Sequence, residues 1–220
     1  VSNVTNMDFM FHAATIFNQD ISNWNVSNVT TMSHTLSNTY AFNNDISDWN
    51  VSNVTNMKLM INLAQSFNGD ISEWDVSSVT NMQKMFINAS RFNQDISSWD
   101  VSNVTNMNGL FISAELFNQD ISIWDVSNVT DMEDMFLSAN TLSEENKCAI
   151  HLSFLSNENW PYDWSEYCGI EFFTYVPDDN FEQALIDLGY DNVMDDYVLT
   201  TNISDVISLD VGEKEISNLT

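Results

Sequence analysis

The chain has 220 residues, of which 44% are hydrophobic and 12% aromatic. This composition supplies a buried core and excludes a wholly disordered protein. The formal net charge is −27, from 32 acidic residues against 5 lysines and arginines, so the chain repels phosphate backbones and anionic membranes. No apolar run reaches the length of about 18 residues that a membrane span needs. We therefore expect neither nucleic-acid binding nor membrane insertion.

A strict period of 25 residues begins at Val1 and continues to about Asn140. It is visible first as a column of Val-Ser pairs and then as columns of Met, Phe, Trp and Asn. The valines are Val1, Val26, Val51, Val76, Val101 and Val126, and the tryptophans are Trp24, Trp49, Trp74, Trp99 and Trp124. The chain starts and ends inside repeating patterns, so we expect it to be part of a longer protein.

The apolar spacing inside one unit predicts a strand followed by a helix. Trp99 and Val101 alternate with the period of two that is typical of a strand, while Val104, Met107 and Phe111 follow helical spacing. The spacing of the strand region is that of leucine-rich repeats. We therefore predict an α/β fold, namely a leucine-rich-repeat-like solenoid of short parallel strands and helices, with 25 residues per coil and a helical, disulfide-bonded cap.

Stacking also predicts roles for the polar columns. The Asn column that includes Asn93 is expected to bond backbone groups of neighbouring coils. The Ser-Asn-Val-Thr segments are expected to cap helices, although five of the asparagines also match the N-glycosylation pattern. In the second unit Thr35 and Thr39 replace the usual Met and Ala, so its helix is predicted to pack least well.

The unit reads F-N-Q-D-I-S-x-W-D-V-S-N-V-T-N-M-x-x-M-F-x-x-A. It resembles the repeat of the BspA-like family of bacterial leucine-rich-repeat surface proteins, and the resemblance covers Val1 to about Asn140. It implies a secreted or surface-anchored bacterial protein that acts in adhesion. It implies no catalytic residues.

Beyond Asn140 the sequence predicts three further segments. Residues 141–170 form a C-terminal cap, with a helix that opens at Ser143 and aromatic residues that either pack as a cover or stack on sugar rings. Residues 171–199 form a helical entry cap for a second module. Residues 200–220 start a second leucine-rich array. Residues 1–140 are the first domain of this division.

Cys148 and Cys168 are the two cysteines of the chain. They lie close together in sequence after the last repeat, which favours a disulfide over free thiols or a zinc site. A disulfide indicates an oxidising compartment, so we predict an extracellular or cell-surface location.

Two aspartate columns raise the question of calcium. One column starts at Asp20, and the other runs from Asn25 and Asn50 to Asp75, Asp100 and Asp125. Stacked carboxylates repel one another, and a weakly bound calcium ion would relieve this. The alternative is that the first column bonds its own turns and the second is a solvated face. No cofactor and no specific metal ligand set is predicted.

The position before each Trp varies while the core columns do not, which is typical of a recognition surface. Together with the neighbouring Asn/Asp column, it gives the candidate binding residues Asp48, Glu73, Asp75, Asp100 and Asp125. No nucleophile with a base, glycine loop or metal-ligand cluster suggests an enzyme. We predict a non-catalytic module that binds a protein or glycan on another cell or matrix. The alternatives are a rigid spacer and a calcium-stabilised array.

Overall fold

The computed structural model describes residues 1–169, 173–191, 194 and 196–203. The chain divides into two compact units, Val1–Trp164 and Ser165–Thr220. Its helices are α1 (Glu144–Phe154), α2 (Asp179–Asp187) and α3 (Thr200–Ile203), with a short 3-10 helix at Ser165–Tyr167. Its strands are β1 (Phe173–Tyr175) and β2 (Tyr197–Leu199). Both cysteines are disulfide-bonded.

The predicted α/β solenoid of parallel strands and helices is wrong. Within the 25-residue units the structure has turns and extended coil, and no helix or strand precedes α1 in residues 1–143. Successive units are joined by isolated parallel bridges, and the strands β1 and β2 form a two-stranded antiparallel sheet elsewhere in the chain. The bridges are Asn6↔Thr31, Thr31↔Asn56, Asn56↔Asn81, Asn81↔Asn106 and Asn106↔Asp131.

Consecutive turns replace the predicted helix. The Leu110 N–H donates to the Met107 carbonyl at 3.1 Å, whereas the Met107 N–H donates to Asp131 of the next unit at 2.8 Å. In an α-helix both would bond four residues back. Gly109 and Ser113 have φ of 60° and 52°, the left-handed values that the third residue of a type II turn requires. A run of turns places apolar residues three and four apart, as a helix does. The apolar spacing therefore did not distinguish a run of turns from a helix.

We call residues 1–142 the repeat stack and each 25-residue unit a coil. A column of phenylalanine, a column of tryptophan and a third column of phenylalanine, leucine and isoleucine fill its interior. Trp99 lies parallel to Trp74 and Trp124 with ring centroids 6.5 Å apart on both sides. Its indole N–H donates to the Ile71 carbonyl at 3.0 Å. The aromatic columns therefore both fill the core and satisfy buried backbone groups.

Polar ladders run alongside the core. The Asn118 N–H donates to the Asn93 side-chain oxygen at 2.8 Å, and the same bond recurs along the Asn column. Asn103 donates instead to the Ser77 carbonyl at 2.8 Å. The predicted helix caps in the Ser-Asn-Val-Thr segments are therefore wrong, because no helix follows them and these asparagines bond the preceding coil.

The second coil buries both of its threonines. Thr35 and Thr39 are both 0% exposed. Thr35 donates its hydroxyl to the carbonyls of Met7 and Met32, and Thr39 donates to Leu36. The helix predicted for this coil is absent, and these hydrogen bonds lower the cost of burying the hydroxyls. The prediction that this coil packs least well stays a prediction.

Helix α1 covers the last coil. It begins after Ser143, whose hydroxyl accepts from the Asn146 N–H. The buried Asn157 side chain donates to the carbonyls of Val126 and Val129, at 2.7 and 2.9 Å. Trp160, Tyr162 and Trp164 pack against the core, so these aromatic residues act as a cover.

The second unit has a small core of its own, formed by Val176, Leu185 and Val198. Helix α2 begins after Asp178, which accepts from the N–H groups of Asn180 and Phe181. Gly189 follows it with φ of 79°. Of the predicted second leucine-rich array, residues 204–220 lie outside the described part of the chain. The predicted four-segment division stays a prediction.

Candidate binding face

The five predicted binding residues are exposed on the repeat stack. Each lies directly before or after a buried Trp, and together they occupy four coils. We call Asp48, Glu73, Asp75, Asp100 and Asp125 the acidic face. Beneath them, the rings of Trp74, Trp99 and Trp124 stack with centroids 6.5 Å apart. The face thus consists of exposed carboxylates in two columns beside buried tryptophans.

Three of the four aspartates of the face are oriented by serines two residues later. Asp100 accepts from both the N–H and the hydroxyl of Ser102, at 3.1 and 2.6 Å. Asp75 and Ser77 make the same pair of bonds, and Asp125 accepts from the backbone of the corresponding serine. Sequence analysis missed these serines, although the Asp-Val-Ser spacing is typical of a side chain that bonds its own turn.

These hydrogen bonds change the acidity of the face. The Ser102 hydroxyl and N–H hold the pKa of Asp100 below its usual range, while the neighbouring charge of Asp125 raises it. The pKa of Asp125 is lowered by Ser127 in the same way. Hydrogen bonds to the charged form therefore outweigh the repulsion between adjacent coils, and both carboxylates are ionised at neutral pH.

Removal of the Ser102 hydroxyl should raise the pKa of Asp100. We expect Ser102→Ala to move this pKa up towards the ordinary value, because the largest stabilising contact of the carboxylate is lost. A carboxyl whose pKa is lower in the folded state adds stability at pH values above its unfolded-state pKa. This stability is lost as the pH falls through the folded-state pKa. In the variant this contribution should therefore be smaller, and its loss should be complete at a higher pH. Carboxyl carbon NMR during an acid titration measures the pKa.

Ser98→Ala is the matched control for this titration. Ser98 lies in the same coil as Asp100 but donates to the Ser72 carbonyl at 3.0 Å, so removal of its hydroxyl should leave the titration of Asp100 unchanged. Equal titration of Asp100 in the wild type and in Ser102→Ala would contradict the proposed cause.

The aspartate column that starts at Asp20 also bonds its own turns. Asp20 accepts from the N–H and hydroxyl of Ser22, at 2.9 and 2.7 Å, and these bonds lower the pKa of Asp20. Four further aspartates, at the same position in later coils, bond serine N–H groups in the same way: Asp45, Asp70, Asp95 and Asp120. Among the described residues, no three His, Cys, Asp or Glu side chains are grouped to hold a metal ion. Weak calcium binding stays a prediction.

An apolar residue adjoins the acidic face. Ile123 occupies the variable position of the fifth coil and is 73% exposed. The same position holds Asn23, Asp48, Glu73 and Ser98 in the earlier coils. The side chain at this position thus changes from polar or acidic to apolar along the repeat stack, although the coil itself repeats.

The repeat stack matches the model of a known protein family. Residues 1–77 and 66–149 match a family described as "Mycoplasma protein of unknown function, DUF285". The chain belongs to this family. The two matches together span residues 1–149 of 220, which includes every coil and part of helix α1. Comparison with curated proteins found no match, and comparison with solved structures found none. Family membership and the disulfide are consistent with a bacterial surface protein.

Across the parts of the chain that the structure describes, no helix has the length and apolar character that crossing a membrane requires. The longest helix, α1, has 11 residues.

Proposed function

We propose that this chain is a non-catalytic binding module of a bacterial surface or secreted protein. The acidic face is the observation that carries the proposal. Its carboxylates are exposed, three of them are hydrogen-bonded within their own turns, and the tryptophan column beneath them recurs from coil to coil. Such an arrangement varies the contact residues without changing the fold, as repeat proteins that bind partners do.

The surface location is supported by three observations. The family is associated with Mycoplasma, the repeat resembles that of BspA-like surface proteins, and both cysteines are disulfide-bonded. Disulfides persist in oxidising compartments. We therefore propose an extracellular or cell-surface location and a role in adhesion.

The partner that we propose is a protein or glycan on another cell or on a matrix. The net charge of −27 favours a partner with a basic contact surface, because opposite charges steer association and set orientation. Ile123, which is 73% exposed, adds apolar contact area beside the acidic face. Binding should therefore weaken as salt is raised, because the carboxylates are exposed.

The experiment neutralises the acidic face without disturbing its turns. Asn25 and Asn50 already occupy the same column as Asp75 and make the same bonds to serine, so Asp→Asn changes keep the acceptor oxygen. The variant carries Asp48→Asn, Glu73→Gln, Asp75→Asn, Asp100→Asn and Asp125→Asn. We expect it to lose about tenfold or more in affinity for its partner in an array of purified matrix proteins and glycans.

A charge-matched control separates the face from net charge. It carries five Glu→Gln changes at exposed positions outside the face, namely Glu115, Glu133, Glu145, Glu158 and Glu166. We expect this control to bind as the wild type does. Absence of any binding in the array, or equal binding by both variants, would contradict the proposal.

A rigid spacer is the second candidate. It is favoured by the ladders of hydrogen bonds that tie each coil to the next, such as the Thr105 N–H to the Thr80 carbonyl at 2.9 Å. These ladders recur from Thr5 to Thr130 and oppose bending of the repeat stack. A spacer would tolerate the face-neutralising variant in every assay.

A further inference from the structure

The cover over the last coil leaves a cavity of about 250 Å³ beside the turn at Ser138. The cavity is lined by apolar side chains of the last coil and by polar and aromatic side chains of the cover, among them Phe136, Ala139, Leu142, Lys147, Tyr162 and Trp164. Pockets for drug-sized ligands have volumes of roughly 300 to 1,000 Å³, so this cavity suits a smaller group, such as a single sugar ring.

Ser138 brings to the cavity a backbone donor that the other coils satisfy. In the preceding coil the equivalent N–H, that of Ser113, donates to the Leu137 carbonyl at 2.9 Å. The last coil is followed by the cover, which replaces one such acceptor: the Phe136 N–H donates to the Tyr162 hydroxyl at 2.8 Å. Within the described ranges of the chain, the Ser138 N–H has no acceptor. A ligand oxygen in the cavity can supply one.

The Tyr162 hydroxyl is a second donor at the cavity. Its oxygen accepts from the Phe136 N–H, and no group among the residues that the structure describes accepts its proton. Burial raises the pKa of Tyr162 to about 12, and the nearby charge of Asp134 contributes to this, so the hydroxyl keeps its proton at neutral pH. Lys147 is a further donor among the lining residues. The cavity therefore combines hydrogen-bond donors with apolar walls.

These walls favour a neutral ligand that carries a carbonyl oxygen and a small apolar group. The acceptor that the Ser138 N–H lacks is a carbonyl oxygen in the preceding coil. An anion is disfavoured by the charge of Asp134 beside Tyr162 and by the net charge of −27. An acetamido group has both required features, because its oxygen accepts hydrogen bonds and its methyl group is apolar.

The aromatic residues of the cavity add surface for a sugar ring. Tyr162 and Trp164 are only half-buried, and their ring centroids lie 4.8 Å apart. Such rings present an apolar body beside a polar edge. We propose that the cavity binds an N-acetylated amino sugar of a glycan, at a site separate from the acidic face. The Ser138 N–H donates to the acetamido oxygen, the methyl group packs against Ala139 and Leu142, and the pyranose ring lies against Trp164.

The test is a titration of the isotope-labelled full chain with N-acetylglucosamine, followed by NMR. We expect the Ser138 amide and the Trp164 indole signals to shift. The Leu63 amide donates to Ile87 at 2.8 Å inside the repeat stack and should not change. Glucose has a hydroxyl in place of the acetamido group and should bind about fivefold more weakly, because one hydrogen bond is lost.

Asn140→Trp should block the cavity. Asn140 lines the cavity and is exposed, and Tyr40 occupies the same position in the second coil, so the repeat tolerates a large ring there. We expect the variant to lose about tenfold or more in affinity for N-acetylglucosamine. Gln65→Trp makes the corresponding change at an exposed position of the third coil, outside the cavity, and should bind as the wild type does.

The proposal is overturned if N-acetylglucosamine leaves the Ser138 signal unchanged, if glucose binds equally well, or if the two tryptophan variants bind alike. N-acetylalanine methylamide tests for a peptide site, because it carries the acetamido group without a sugar ring. Equal or tighter binding of this compound would also overturn the proposal. The cavity contains no residue of the acidic face, so failure here and failure of the proposed function are distinguishable.

Discussion

Phe111→Ala should lower the free energy of unfolding of the repeat stack by about 3 to 5 kcal/mol. Phe111 is 0% exposed, and its ring contacts phenylalanines in its own coil and in the coils before and after it. Its ring lies 5.5 Å from Phe86, 4.0 Å from Phe117 and 5.5 Å from Phe136, measured between centroids. Truncation leaves a cavity that the rings on either side cannot close, because each is held by its own ladder.

Urea unfolding followed by tryptophan fluorescence measures this loss. All seven tryptophans of the chain lie in the unit Val1–Trp164, so the signal reports on the unit that contains the substitution. Leu116→Ala is the control in the same coil, since Leu116 is 52% exposed and should cost no more than about 0.5 kcal/mol. Equal effects of the two substitutions would show that the phenylalanine columns are not the core.

Trp99→Phe should cost about 2 to 3 kcal/mol. Phenylalanine keeps an aromatic ring but removes the indole N–H that donates to Ile71 at 3.0 Å. Ile71 is 0% exposed, so its carbonyl would lose one of two donors away from water and keep only the Trp74 N–H at 3.2 Å. The smaller ring also leaves space between Trp74 and Trp124.

Trp24→Phe is the matched control for this substitution. It makes the same chemical change in the first coil, where the indole has no protein acceptor among the described residues and the ring is half-buried. We expect a loss below about 1 kcal/mol, measured by the same urea unfolding. If Trp99→Phe were as mild as Trp24→Phe, the ladder bond to Ile71 would contribute nothing to stability.

Much of the candidate site could be predicted from the sequence. The variable position before each Trp identified Asp48 and Glu73 as surface residues, because a period of 25 residues separates constant core columns from variable exposed ones. The orientation of Asp100 by Ser102 was missed. That bond is local, so closer attention to the spacing of two residues would have found it.

The sequence by itself determined the repeat, its length, the columns that form the core, the Asn ladder and the start of α1. Each of these features depends on the spacing of residue types along the chain or on a hydrogen bond between residues close in sequence. Only the tertiary structure decided between turns and helix. Leu59 and Lys84 have φ of 55° and 56°, a conformation that their own preferences disfavour. Bonds to the next coil hold them there, as when Leu59 donates to the carbonyl of Gln83 at 2.9 Å. Such contacts lie 24 residues away in sequence, beyond the reach of any local pattern.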